Sequence, residues 1–190
     1  MGASAPAQHL FAGAMTLVDD AQGGIRYWPG FVDAALAQDW FATLRAKAAW
    51  THQRRPMYDR VVDVPRLLAS YSVDAFPPEL PLRDMLAGVQ ALVPAPYNGV
   101  GMNLYRDGND SVAMHSDKLH ILTAPHPIAL VSLGDPRRML IRAKTGNRTS
   151  IAIDLEPGSL LCMSHASQFT HEHGIPKTKD AIGERISLAF

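Results

Sequence analysis

The spacing of apolar residues divides the chain into two regimes. Before Pro96, two segments carry a helical period. Leu36, Trp40, Phe41 and Leu44 form one stripe after Asp33, whose short carboxylate suits a helix N-cap. Met85, Leu86, Val89 and Leu92 form another within Leu82 to Val93. The first helix is expected to run to about Ala48 and to lie on a sheet. A short strand from Ile25 to Trp28 precedes it, closed by Pro29-Gly30. Residues 50 to 80 are expected to be irregular, broken at Pro56, Pro65, Pro77 and Pro78. After Pro96 the period shortens to that of strands: Val100 to Tyr105, Val112 to Asp117, Ile128 to Leu133, Met139 to Arg142, Ser150 to Asp154, Ser159 to Met163, and Arg185 to Phe190. Turn residues separate them at Arg106 to Asp110, Gly146-Asn147 and Pro157-Gly158. Two helices followed by many short strands predict an α+β, mainly β fold: a double sheet with helical support.

Composition narrows this picture. A length of 190 residues favours one domain, and an apolar share of 47% argues against disorder along the whole chain. Residues 1–24 lack the basic start and apolar stretch of a signal peptide and read as a partly flexible leader, with 25–190 as the domain. No apolar run is long enough to span a membrane as a helix, and a cytoplasmic protein is expected. Lys plus Arg and Asp plus Glu both total 18, which excludes a strongly basic, histone-like binder but not a local basic groove. The single cysteine, Cys162, lies in an apolar run, so no intramolecular disulfide forms and a buried thiol is expected.

Four polar features interrupt the apolar strands. His115-Ser-Asp117 places an imidazole and a carboxylate two residues apart, on one face of a strand. A histidine from another strand would complete a facial set of two histidines and one carboxylate, which leaves positions open on a metal such as Fe(II). His-x-Asp alone is a common surface accident. His171-Glu-His173, ahead of Gly174-Ile-Pro176, offers two candidates for the distant ligand. Asn103 and Tyr105 are same-face polar groups on an otherwise apolar strand. In the last strand Arg185, Ser187 and Ala189 share the face opposite Ile186, Leu188 and Phe190. An arginine on a buried strand needs an anion, and a carboxylate matches its fork.

In order and spacing these features resemble the AlkB family of Fe(II)- and 2-oxoglutarate-dependent nucleic-acid dealkylases. The resemblance runs from about Ile25 to the end and includes Tyr27-Trp-Pro-Gly-Phe31, Val64-Pro-Arg-Leu67, Asn103-Leu-Tyr-Arg-Asp-Gly108, His115-Ser-Asp117, His173-Gly-Ile-Pro-Lys-Thr178 and Arg185-Ile-Ser-Leu188. It implies a double-stranded β-helix (jelly roll) with supporting N-terminal helices. It implies Fe(II) held by His115, Asp117 and His173, the last preferred over His171 because it directly precedes Gly-Ile-Pro. It implies 2-oxoglutarate bound by Asn103, Tyr105 and Arg185, with Ser187 beside them, and O2 as oxidant. The implied activity is oxidative demethylation of N-alkylated bases in DNA or RNA by a monomer, with release of formaldehyde, succinate and CO2.

Two departures qualify the resemblance. The family's second arginine, six residues after the first, would fall just past Phe190. The acidic residues that often follow the His-x-Asp motif and face the base are replaced by Lys118-Leu-His120. These departures keep open a dioxygenase acting on a non-nucleic-acid substrate, or a catalytically weak binding protein of the same fold. Two stretches offer cations for phosphates: Gln53 to Arg66, with Arg54, Arg55, Arg60 and Arg66, and Arg137 to Arg148. Tyr58, Arg66, Tyr71, Lys118 and His120 are the expected substrate contacts.

Overall fold

The computed structural model of the protein describes residues 13–57, 60–146 and 149–190, with residues 55–57 and 60–62 described by their backbone alone. Strands β1 (Met15–Val18) and β2 (Ile25–Trp28) lead into helix α1 (Ala34–Lys47). Then come β3 (Arg54–Met57), β4 (Arg60–Asp63), β5 (Leu67–Ser72) and helix α2 (Leu82–Leu92). The second half holds β6 (Gly99–Tyr105), β7 (Val112–His115), β8 (Ile128–Gly134), β9 (Arg137–Ala143), β10 (Ser150–Leu155) and β11 (Ser159–Met163). A one-turn helix α3 (Ser167–Thr170), β12 (His171–Ile175) and β13 (Arg185–Ala189) complete the chain.

The strands form a seven-stranded sheet, ordered β1-β2-β11-β8-β13-β6-β5, and a four-stranded sheet, ordered β10-β9-β12-β7. All their pairings are antiparallel. Strand alternation divides the side chains of the large sheet into two layers. Met102, Leu104, Ala129, Val131, Leu133, Leu160, Ile186 and Leu188 face the helices. Ile25, Tyr27, Tyr105, Ile128, Leu130, Leu161 and Met163 face the small sheet, where Met139, Ile141 and Ile175 meet them. This is the double-stranded β-helix expected from the sequence.

The helices pack where their stripes predict. Asp33 caps α1, its Oδ1 accepting the Leu36 N–H at 2.8 Å. Arg45 and Lys47 lie in the last turn, where cations oppose the helix dipole. Ala37, Trp40 and Leu44 are buried on α1, and Leu82, Met85, Leu86 and Val89 on α2. Truncating fully buried Leu44 to Ala would cost about 2–5 kcal/mol.

Three regions differ from the sequence expectation. Residues 50–80 contain the β3–β4 ribbon and β5 rather than irregular chain. In a two-stranded ribbon both edges are open, so a proline such as Pro56, opposite Val61, is tolerated and the alternation signal is absent. Met15–Val18, inside the expected leader, pairs with β2 at the sheet edge. His171–Ile175, not expected as a strand, joins β9 to β7. No helix among the described residues is long and apolar enough to cross a membrane.

Candidate metal centre and adjoining pocket

His115 and His173 are ladder partners across the β7–β12 pair, which sets their imidazoles side by side with ring centroids 4.6 Å apart. Asp117 lies between them: its Oδ1 is 3.9 Å from His115 Nε2 and its Oδ2 is 3.6 Å from His173 Nε2. One donor atom from each of the three lies within 4.8 Å of the others. The His115 Nδ1 is 2.9 Å from the Ala113 carbonyl, so Nδ1 carries the hydrogen and Nε2 keeps its lone pair toward Asp117. Burial pushes the His173 imidazole down to about 4; the charge of Asp117 opposes this and His115 adds to it. At neutral pH His173 is therefore uncharged, as a ligand must be. A packed glycine makes this approach feasible. A Cβ on Gly174 would sit 2.9 Å from the Val112 carbonyl oxygen and 3.0 Å from the Met114 nitrogen. His171 points elsewhere, its Nδ1 bonded to the Thr170 hydroxyl at 2.8 Å.

Asp117 does not reach this position by strand alternation. Strand β7 ends at His115, and Asp117 occupies the loop beyond it. The loop is tied to the neighbouring elements instead. Ser116 Oγ donates to the His171 carbonyl at 2.8 Å, and the Asp117 N–H donates to Gln168 Oε1 at 3.0 Å.

A cavity of about 90 Å³ lies beside the three donors, lined also by Asn103, Tyr105 and Ser187. The β6–β13 register explains this grouping, because Arg185 stands opposite Tyr105 and Ser187 opposite Asn103. Arg66 Nε donates to Asn103 Oδ1 at 2.6 Å, and Asn103 Nδ2 faces Ser187 Oγ at 3.4 Å. Arg185 is 1% exposed and packs against the Tyr105 ring, with Cζ 5.1 Å from its centroid. Its Nη2 donates to Ser132 Oγ at 2.8 Å, while Nε and Nη1 are buried and find no hydrogen-bond partner among the described residues. Burial pulls this guanidinium below its ordinary value; Tyr105 opposes that effect and Arg137 adds to it. A buried cation with two unpartnered nitrogens is the expected receptor for an anion. The donor set and this cation thus fit a metal ion with a carboxylate-bearing ligand.

Arg137 is a residue the sequence reading did not place here. It is buried near Tyr105, its Cζ 5.4 Å from the ring centroid, and donates to the carbonyls of Asp107, Asp110 and Pro176. Burial alone would raise the Asp110 carboxyl. Hydrogen bonds from the Arg106 side chain and backbone, with the charges of Arg106 and Arg137, hold it below the ordinary carboxylate value. This cluster braces the turn that leads into β7.

A groove of about 640 Å³ opens outward from the donors. Arg66, expected as a substrate contact, lines both groove and cavity. Lys118 and His120 are exposed beside the groove and do not line it; Ile121 and Leu122 do. Tyr71 is not brought to the groove: its hydroxyl accepts the Ala49 N–H at 2.8 Å and its ring packs on the helix-side core. Tyr58 lies outside the described residues, as does Arg148. The basic stretch from Arg137 has most of its charge engaged internally. Arg138 pairs with Asp154 at 2.9 Å, Arg142 with Glu172 at 2.6 Å, and Lys144 Nζ donates to the Gln168 carbonyl at 2.7 Å. Each of these three cations thus already has a partner within the chain.

Comparison with known proteins places this geometry among relatives. A family profile described as 2OG-Fe(II) oxygenase superfamily matches residues 24–190. The chain is 32% identical over 116 residues to the human DNA oxidative demethylase ALKBH2, covering 57% of this chain and 43% of that protein. It is 30% identical over 183 residues to the mouse alpha-ketoglutarate-dependent dioxygenase alkB homolog 3, covering 86% of this chain and 64% of that protein. The chain thus spans under two thirds of the length of these curated relatives. The solved structure of OsALKBH1 shares the fold with a TM-score of 0.63 at 16% identity, over 88% of this chain and 97% of that one.

Proposed function

We propose, from the premise that this chain belongs to the AlkB/2OG-Fe(II) oxygenase superfamily, that it is an Fe(II)- and 2-oxoglutarate-dependent dioxygenase that removes alkyl groups from bases of DNA or RNA. The observation that carries this reading is the joint lining of one small cavity by the His115, Asp117 and His173 donors and by Asn103, Tyr105 and Ser187, with the unpartnered Arg185 guanidinium against the Tyr105 ring. Fe(II) held there by His115, Asp117 and His173 would supply, with 2-oxoglutarate and O2, the oxidising power to hydroxylate an N-methyl group, which would be lost as formaldehyde while the co-substrate was converted to succinate and CO2.

The chain's own residues provide orientation and exclusion of water. His115 and His173 present their Nε2 atoms, and Asp117 supplies the carboxylate of the donor set. Arg185 would take the distal carboxylate of 2-oxoglutarate with Nε and Nη1, which have no hydrogen-bond partner among the described residues. Arg66 holds the Asn103 amide so that its Nδ2 is turned toward Ser187 and the cavity. Ile128, Leu130, Met139 and Met163 line the remaining cavity wall and keep it apolar. A base drawn out of its stack would enter through the outer groove, past Arg66 and the apolar edge of Ile121 and Leu122.

The internal pairing of Arg138 and Arg142 favours a second reading, in which the same oxidation acts on a substrate other than nucleic acid. Succinate release by the purified protein with Fe(II), ascorbate and 2-oxoglutarate discriminates between the two. Stimulation by a 1-methyladenine oligonucleotide, with matching formaldehyde, supports dealkylation of nucleic acid. Unstimulated succinate favours the second reading, and no succinate from a chain that binds iron argues against both.

A further inference from the structure

We infer that Gln168 is a positioning residue for the metal-facing carboxylate, holding Asp117 in place through its backbone amide. This inference rests on the metal reading above. His115 and His173 are fixed by strand pairing, since they are partners in the β7–β12 ladder. Asp117 lies past the end of β7 and has no such support. Its N–H donates to Gln168 Oε1 at 3.0 Å. Gln168 is 2% exposed, and its Nε2 is 3.4 Å from Ser167 Oγ. That contact assigns the oxygen end of the amide to Asp117.

Gln168 stands on α3, a single helical turn with little internal hydrogen bonding, so its position depends on outside anchors. Ser164 Oγ accepts the Ser167 N–H at 2.9 Å, and Ser167 Oγ donates to the Ser164 carbonyl at 2.7 Å. Ser164 Oγ in turn donates to Asp20 Oδ2 at 2.5 Å, and Gln22 Oε1 accepts the Ala166 N–H at 2.8 Å. Lys144 Nζ holds the Gln168 carbonyl from the other side. A continuous set of hydrogen bonds therefore runs from the turn between β1 and β2 to the loop that carries the carboxylate. Removing the Gln168 acceptor leaves the Asp117 N–H without its partner; the loop then keeps the Ser116–His171 anchor but loses the bond at Asp117 itself, so the carboxylate can rotate away from the two Nε2 atoms.

The test is a cobalt(II) titration of the full chain, read by visible absorption, with amide hydrogen exchange of residues 115–118 in parallel. Gln168→Met keeps the length and removes the acceptor; Gln168→Glu keeps an acceptor oxygen. The expected result is about 10-fold to 100-fold weaker cobalt binding for the methionine variant, the range typical for groups that orient metal ligands. An altered absorption band, faster exchange at Asp117, and affinity within threefold of wild type for the glutamate variant are also expected. Methionine-variant binding within twofold of wild type, with unchanged Asp117 exchange, overturns the inference while leaving the metal site intact. If wild type takes up no cobalt that His115→Ala abolishes, the metal reading itself falls, and this inference with it. If the methionine variant does not fold, the glutamate variant decides: affinity within threefold supports the inference and a tenfold loss overturns it.

Discussion

Replacing Arg185 with Met should have opposite effects on ligand binding and on stability. The guanidinium is fully buried, and two of its nitrogens have no hydrogen-bond partner among the described residues. Two charge-assisted hydrogen bonds to a carboxylate contribute about 1.5–3 kcal/mol each. Their loss therefore predicts 2-oxoglutarate affinity lower by roughly 100-fold or more. In the ligand-free protein the balance reverses. Arg185→Met forfeits the hydrogen bond to Ser132, about 1.5–3 kcal/mol, and the contact with the Tyr105 ring, about 0.5–2 kcal/mol. It also removes an uncompensated buried cation, whose desolvation costs several kcal/mol. The variant should thus unfold at or above the wild-type temperature while binding the co-substrate poorly. Calorimetric titration of 2-oxoglutarate with manganese(II) present, alongside thermal unfolding without ligand, measures both. An affinity change under tenfold, or a melting temperature lowered by more than about 5 °C, roughly 2 kcal/mol for a chain of this size, would refute the reasoning.

Three further outcomes are expected. Gly174→Ala puts a Cβ 2.9 Å from the Val112 carbonyl oxygen, so β7 must move away from β12; unfolding free energy should fall by about 1–3 kcal/mol and cobalt(II) binding should weaken, both read by titration. Asp110 is held below the ordinary carboxylate value, so its contribution is present above about pH 4 and is lost as pH falls through its folded value. Urea unfolding of Asp110→Asn should accordingly show a deficit of about 1–3 kcal/mol at pH 7 that shrinks toward pH 3. Cys162 is half-buried rather than buried as expected, and this partial burial pushes its thiol up to about 11, so iodoacetamide should label the native chain at pH 8 about two orders of magnitude more slowly than the urea-unfolded chain; equal rates would contradict the shift.

Much of this architecture was legible because it repeats. Asp33 followed by Leu36, Trp40, Phe41 and Leu44 announces α1, and the alternation from Arg185 to Phe190 announces both faces of β13. Strand parity put Asn103 with Tyr105 and Arg185 with Ser187, but only the family resemblance joined the two pairs, which the β6–β13 register brings together. Features that depend on contacts distant in sequence were not legible. Arg137 reads as a surface cation until the carbonyls of Asp107, Asp110 and Pro176 close around it. Gln168 lies on a helix too short to show a period, and its partner is 51 residues away. Asp117 was expected on the same strand as His115, and the loop that actually holds it carries no periodic signal.

The division of β13 into an apolar face, with Ile186 and Leu188, and a face that carries Arg185 and Ser187 bears on how the chain finds its own alignment. A slip of β13 by one residue along β6 and β8 would exchange Arg185 and Ser187 with Ile186 and Leu188. The guanidinium would then enter the packing of Leu104, Val131 and Leu133, where no ligand can reach it, at a cost of several kcal/mol. The residues that ready the pocket for a carboxylate therefore also act as a checksum on strand pairing. Weakening them for the sake of a new ligand would relax the accuracy of assembly along with the chemistry.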